Sequence, residues 1–123
     1  MDDDDNPQTH HCYSSLTGKI AQQYESMGGK VTFFGKPHVE HFEACLRDLG
    51  LPKPRVAHVG DSLHHDVVGA NSTGIDSIFI AGGVHREELE AYSLGEIPSS
   101  KMLEQLFREH GITPTHVVPL FKL

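Results

Sequence analysis

Apolar positions along the chain follow two rhythms that take turns. Leu16, Ile20, Tyr24 and Met27 recur at helical spacing, one stripe of a helix that Ser14 or Ser15 can cap and Gly28-Gly29 can end. Val31-Thr32-Phe33-Phe34 is short, β-branched and aromatic, and predicts a buried strand. Pro37 suits the first turn of a second helix. Its apolar face is Val39, Phe42, Leu46 and Leu49, and Gly50 ends it. Cys45 sits beside that stripe and reads as a small core residue. The rhythm then repeats. Residues 56–59 predict a strand, 63–73 a helix closed by Gly74, and 75–80 a strand broken by Ala81-Gly82-Gly83. A short helix around 87–92 and a longer one around 101–110 follow, the latter burying Met102, Leu103, Leu106 and Phe107. Residues 115–120 predict a last strand, which Pro119 pushes toward a sheet edge.

Strands alternating with helices predict an α/β fold: a parallel sheet of about three to four strands with helices on its faces. Ligands of such sheets bind at the carboxyl ends of the strands. Gly35-Lys36, Gly60-Asp61-Ser62 and Ala81-Gly82-Gly83 follow the predicted strands. A lysine, a carboxylate and a glycine loop are thereby expected on one edge.

Composition narrows the field. The chain has 123 residues, 37% of them hydrophobic, which allows one small domain. Its 10 basic and 17 acidic residues give a net charge of −7, which argues against a nucleic-acid backbone as partner. The acidity is uneven: without Asp2 to Asp5, 10 basic and 13 acidic residues remain, a balance of −3. Residues 1–13 therefore read as an acidic and polar tail. Two cysteines with no C-x-x-C spacing offer neither a disulfide framework nor a thiol metal site. No apolar run is long enough to span a membrane. The N-terminal residues lack the basic and apolar regions of a signal peptide and are too acidic for a transit peptide. A cytoplasmic chain is expected, with an organellar location left open should further sequence precede Met1.

At the predicted edge, Lys36 is a compact cation on a tight turn, able to bind a phosphate and stabilise charge on a transferring phosphoryl group. Taken alone it reads more readily as a surface lysine after a turn. Asp61 and Asp66 flank Ser62-Leu63-His64-His65. Such carboxylates suit Mg²⁺, which takes one or two of them plus water and substrate phosphate. They also suit a helix N-cap and a first-turn acid. Of the 10 histidines, His64 and His65 point apart on a helix, and His38 and His41 share a face without a third ligand. His65 stands four residues from Asp61 and could reach it. The sequence nominates no structural zinc site.

These residues resemble the C-terminal half of a haloacid dehalogenase-like (HAD) phosphatase of the subgroup with a large cap. Gly35-Lys36-Pro37 matches the motif that carries the family lysine. Residues 59–70, Val-Gly-Asp-Ser-Leu-His-His-Asp-Val-Val-Gly-Ala, match the G-D-S-x-x-x-D-x-x-G-A motif of paired acids. Gly74-Ile75-Asp76 matches the turn and strand after it, and residues 111–118 resemble the closing strand more weakly. The resemblance implies a partial Rossmann-like core over residues 14–123 and a small phosphate monoester as substrate. It implies that Lys36 holds the phosphate and the nucleophile carboxylate and that Asp61 ligates Mg²⁺. Asp66 would orient the lysine or a metal-bound water, with Ser62 assisting.

The chain also departs from the family pattern. It holds no D-x-D-G motif, which carries the family's aspartate nucleophile. Asn6-Pro7-Gln8 resembles an Asn-Pro-Asp loop that follows the cap in relatives, making Asn6 a candidate substrate contact. The expectation is a truncated HAD-like hydrolase, inactive alone, with a weak Mg²⁺ site. Its exposed sheet edge would then favour self-association or pairing with a separate N-terminal half. A noncatalytic binding or oligomerisation module derived from a HAD core is the alternative.

Overall fold

The computed structural model describes residues 16–90 and 95–122, which fall into two compact units divided between Phe33 and Phe34. In the first unit, α1 (Leu16–Ser26) follows the predicted stripe. Its C-terminal carbonyls accept from Met27 and Gly28, and Gly28 adopts a φ of +87° that a side chain would disfavour. Tyr24 lies over Gly29, where a Cβ would overlap its ring.

The strand expected at residues 31–34 does not form. Strands exist as partners in a hydrogen-bonded ladder, and this segment joins none of the ladders among the described residues. Apolar, β-branched composition supplies a propensity but not a neighbour.

In the second unit, Gly35, at a φ of +97°, opens a turn closed by the His38 N–H on the Gly35 carbonyl at 2.9 Å. The Lys36–Pro37 peptide within it is cis. Helix α2 (Val39–Leu49) follows and ends at Gly50 in the left-handed conformation. Phe42 and Leu46, one turn apart, are its buried residues. Cys45, expected in the core, is exposed, because its neighbours at 42 and 46 take the inward face.

Strands β1 (Ala57–Gly60), β2 (Asp76–Ile80) and β3 (His116–Val118) form a three-stranded parallel sheet in that order. Val59 stands opposite Ile78, and Ile78 opposite His116. The predicted parallel α/β layout is observed, with β3 at an edge. Beyond the strand ends, Ala81 and Gly82 donate to the Val118 and Pro119 carbonyls.

The helix predicted between β1 and β2 is present but begins irregularly. A π-helical turn (Leu63–Val67) leads into α3 (Val68–Thr73). The Ser62 carbonyl accepts from both Asp66 N–H at 2.9 Å and Val67 N–H at 3.2 Å, which widens this first turn. Helix α4 (Ser100–His110) starts at Ser99, whose hydroxyl accepts from Met102 N–H. The helix expected around 87–92 is not formed over residues 84–90, which make turns; residues 91–94 lie outside the described part.

Two buried clusters hold this unit together. One joins Leu63, Val67, Phe79, Ala81, Leu89 and Leu106, with Met102, Leu103 and Phe107 of α4 packed on it as their spacing predicted. The other joins Phe42, Leu46, Ala70 and Ile75. Gly69 lets α3 approach α2 closely, since a Cβ there would overlap the Phe42 ring. Among the described residues no helix is long and apolar enough to cross a membrane.

Candidate active site

The turn after β1 carries the chemistry. Asp66 sits in the π-helical turn and folds back, so that Ser62 N–H donates to its Oδ2 at 3.1 Å. Lys36 Nζ donates to its Oδ1 at 2.7 Å, from the turn ahead of α2. His58 of β1 reaches the same oxygen through Nε2, also at 2.7 Å. The Asp66 side chain is only 5% exposed, whereas that of Lys36 is 43% exposed. Burial pushes the Asp66 carboxyl up, but hydrogen bonds from His58, Lys36 and the Ser62 N–H outweigh it and hold the group below its ordinary value. Asp66 is therefore an anion at neutral pH, fixed by three donors.

Gly60 is required beneath this arrangement. A Cβ at that position would overlap the Asp66 carboxyl carbon. His58 and Gly60 share one face of β1, because strand side chains alternate. Strand alternation thus brings His58 onto Asp66, a contact that sequence reasoning missed although this alternation could have signalled it.

Asp61 follows β1 directly and turns toward the glycine loop instead. Its Oδ2 accepts from Val84 N–H at 3.0 Å, and a Cβ on Gly83 would overlap its side chain. The glycines after β2 allow the backbone to come close enough to hold this carboxylate. Ser62 caps the helical segment: its hydroxyl accepts from His65 N–H at 3.2 Å and bonds His65 Nδ1 at 3.0 Å. His65 thus meets Ser62 rather than Asp61.

The structure brings Lys36 and Asp66 together and places Asp61 on the adjoining turn. Asn6 lies outside the described residues. Asp61 offers hard oxygen donors for Mg²⁺, and the Val84 bond engages one of its two oxygens. One carboxylate plus water and phosphate oxygens fits the way this ion is commonly held.

Comparison with known proteins points the same way. The family described as HAD-hydrolase-like matches residues 33–96. Over 82 residues the chain is 30% identical to a glyceraldehyde 3-phosphate phosphatase of Pyrococcus furiosus, covering 62% of this chain and 33% of that protein. Over 52 residues it is 40% identical to a phospholysine phosphohistidine inorganic pyrophosphate phosphatase of Danio rerio, covering 42% of this chain and 19% of that one. Among solved structures, a p-nitrophenyl phosphatase from Archaeoglobus fulgidus superposes with a TM-score of 0.57 at 26% identity, over 82% of this chain and 34% of its own. The chain thus spans about a third or less of the length of these relatives. By the family match across half its length, with the fold and the ordered motifs in agreement, the chain belongs to the HAD-hydrolase-like family.

Proposed function

We propose that this chain carries the lysine-and-acid part of a phosphatase site that acts on a small phosphate monoester. The observation that supports it is the Lys36–Asp66 pair at 2.7 Å. An ammonium group has three donors. Asp66 engages one of them, and the half-exposed lysine keeps others for phosphate oxygens. In this reading Lys36 binds the phosphate, and Asp66 fixes the direction of the lysine. Asp61 holds Mg²⁺, with Val84 N–H fixing the carboxylate. The ion would supply charge neutralisation at the phosphate. Ser62 anchors the turn that carries both acids, and Asn6 is the remaining substrate contact.

No D-x-D-G motif occurs in these 123 residues, so the nucleophile step has no assigned group here, and we propose that the chain alone does not turn over. Purified chain should leave p-nitrophenyl phosphate intact with or without Mg²⁺. Robust turnover abolished by Asp61→Ala would overturn the inactivity. Binding is tested separately. Orthophosphate with Mg²⁺ should move the backbone NMR signals of residues 35–38 and 61–66, and Lys36→Gln should remove the effect. Unmoved signals in the folded chain would refute the phosphate site.

A second reading, a noncatalytic module that pairs through its sheet, has one observation in its favour. Among the described residues β1 stands at an edge in the order β1-β2-β3, and edge strands present unpaired backbone groups. Sedimentation of a well-folded monomer would count against it.

A further inference from the structure

On the α4 side of the sheet, three side chains that the phosphatase reading does not use come together. We propose that His85, Glu88 and His110 form a binding site for a transition-metal dication of the zinc class. Their ligand atoms all lie within 4.8 Å of one another. Glu88 bridges the two rings: Oε1 is 2.7 Å from His85 Nδ1 and Oε2 is 3.0 Å from His110 Nε2. Two imidazole nitrogens and a carboxylate form a donor set typical of zinc with a fourth position open. The same set is a poor one for Mg²⁺, which takes oxygen ligands. The site is thus chemically distinct from Asp61 and goes beyond the phosphatase reading without depending on it.

The surroundings hold the rings in place. His85 is buried, its ring tilted against Phe79 at 5.8 Å and edge-on to His110 at 5.4 Å between centroids. His110 lies at the end of α4, and its Nδ1 is 2.8 Å from His64 Nε2. When His110 ligates through Nε2, its ring proton sits on Nδ1 and donates to His64, the outer bond that metal-bound histidines commonly make. Glu88 is half-exposed, so an ion can enter from solvent and the carboxylate can turn to meet it. Hydrogen bonds from His110 and His85 hold its carboxyl below the ordinary range, so it is already an anion.

His85 makes the site costly to fill, and that cost supplies a signature. In the structure His85 Nε2 accepts from Leu63 N–H at 3.2 Å, which places the ring proton on Nδ1, facing Glu88. A metal at Nδ1 moves that proton to Nε2, where it meets another N–H, so the Leu63 bond is given up. Leu63 stands two residues after Asp61, and Val84, beside His85, holds Asp61. Metal entry is therefore felt at the turn that carries the paired acids.

The test uses the full chain and Zn²⁺ alone, by calorimetry and by NMR of the histidine ring nitrogens. We expect one equivalent to bind, with coordination shifts at His85 Nδ1 and His110 Nε2 and a shift of the Leu63 amide. Excess Mg²⁺ should not reproduce these shifts. Affinity should fall at least about tenfold in Glu88→Gln and in His110→Gln, and persist when His10 and His11 are both replaced by alanine. Glu88 is half-exposed, so Glu88→Gln should fold, and the wild-type ring signals need no variant at all. Unmoved His85 and His110 signals at saturating Zn²⁺, or affinity unchanged in both variants, would overturn the site.

Discussion

Lys36 Nζ and Asp66 Oδ1 meet at 2.7 Å across 30 residues of sequence, one half in water and the other out of it. That asymmetry decides what each substitution does. Lys36→Met leaves a buried carboxylate with two of its three donors, so the Asp66 titration should move upward. The cost should be about 1–3 kcal/mol, the range for weakening a buried polar group's hydrogen bonding. Carbon-detected NMR of the Asp66 carboxyl measures the first and urea unfolding the second. An unmoved titration would mean that the pair does not form in solution.

The same group predicts an acid limb in stability. The Asp66 pKa is held below its ordinary value of 3.8 in the folded chain. Its contribution is therefore fully present above 3.8 and is lost as pH falls from there through the lower native value. Wild-type stability should drop over that window. In Asp66→Asn this part of the drop should vanish, with a stability deficit at pH 7 that narrows toward pH 2. Glu88, held below its ordinary value of 4.5 by His110 and His85, adds an acid limb of its own, so the comparison is best made in a Glu88→Gln background.

Two glycines should be intolerant for steric reasons and a third for a conformational one. Gly60→Ala and Gly83→Ala place a methyl group on Asp66 and Asp61 respectively. Each should cost about 1–3 kcal/mol, as overpacking does, and should disturb the carboxylate above it. Gly74 has open space around it but a φ of +81°. Gly74→Ala should cost roughly 1–2 kcal/mol through backbone strain alone, leaving the Asp61 and Asp66 signals in place. Equal disturbance of these signals by all three would contradict the assignment.

Neighbouring positions of α2 should respond very differently. Phe42→Ala removes a buried ring packed on Gly69 and His58, at a cost of about 3–5 kcal/mol. Cys45→Ser, at an exposed position, should stay within about 0.5 kcal/mol of wild type. Chemical denaturation of both variants makes the comparison, and a Cys45→Ser loss near that of Phe42→Ala would return Cys45 to the core.

Much of the layout could be read from local pattern because local pattern has local causes. The spacing of Met102, Leu103, Leu106 and Phe107 announced α4 and its buried face. The runs at 56–59 and 75–80 announced β1 and β2, and a parallel sheet followed from their alternation with helices. Lys36 and Asp61 stood out because each lies just after a predicted strand, and Asp66 because it falls in the first turn of the helix predicted next.

Contacts between distant residues were another matter, because periodicity reports which face is apolar and not what will cover it. The run at 31–34 had the composition of a strand but no ladder to join. Cys45 lay beside an apolar stripe, yet α2 spent its inward face on Phe42 and Leu46, which pack with Ala70 and Ile75. His58 joined Lys36 on Asp66 because the alternation of β1 puts it on the face of Gly60, and His65 turned to Ser62, the cap of the widened first turn. His85 and Glu88 come from a turn and His110 from a helix end, 22 residues beyond Glu88. Local pattern thus announced α1 to α4, the three strands of the sheet, their order, and the lysine and acids beside it. Only the tertiary structure decided which of those residues share a proton, since packing, not spacing, sets the distance between side chains far apart along the chain.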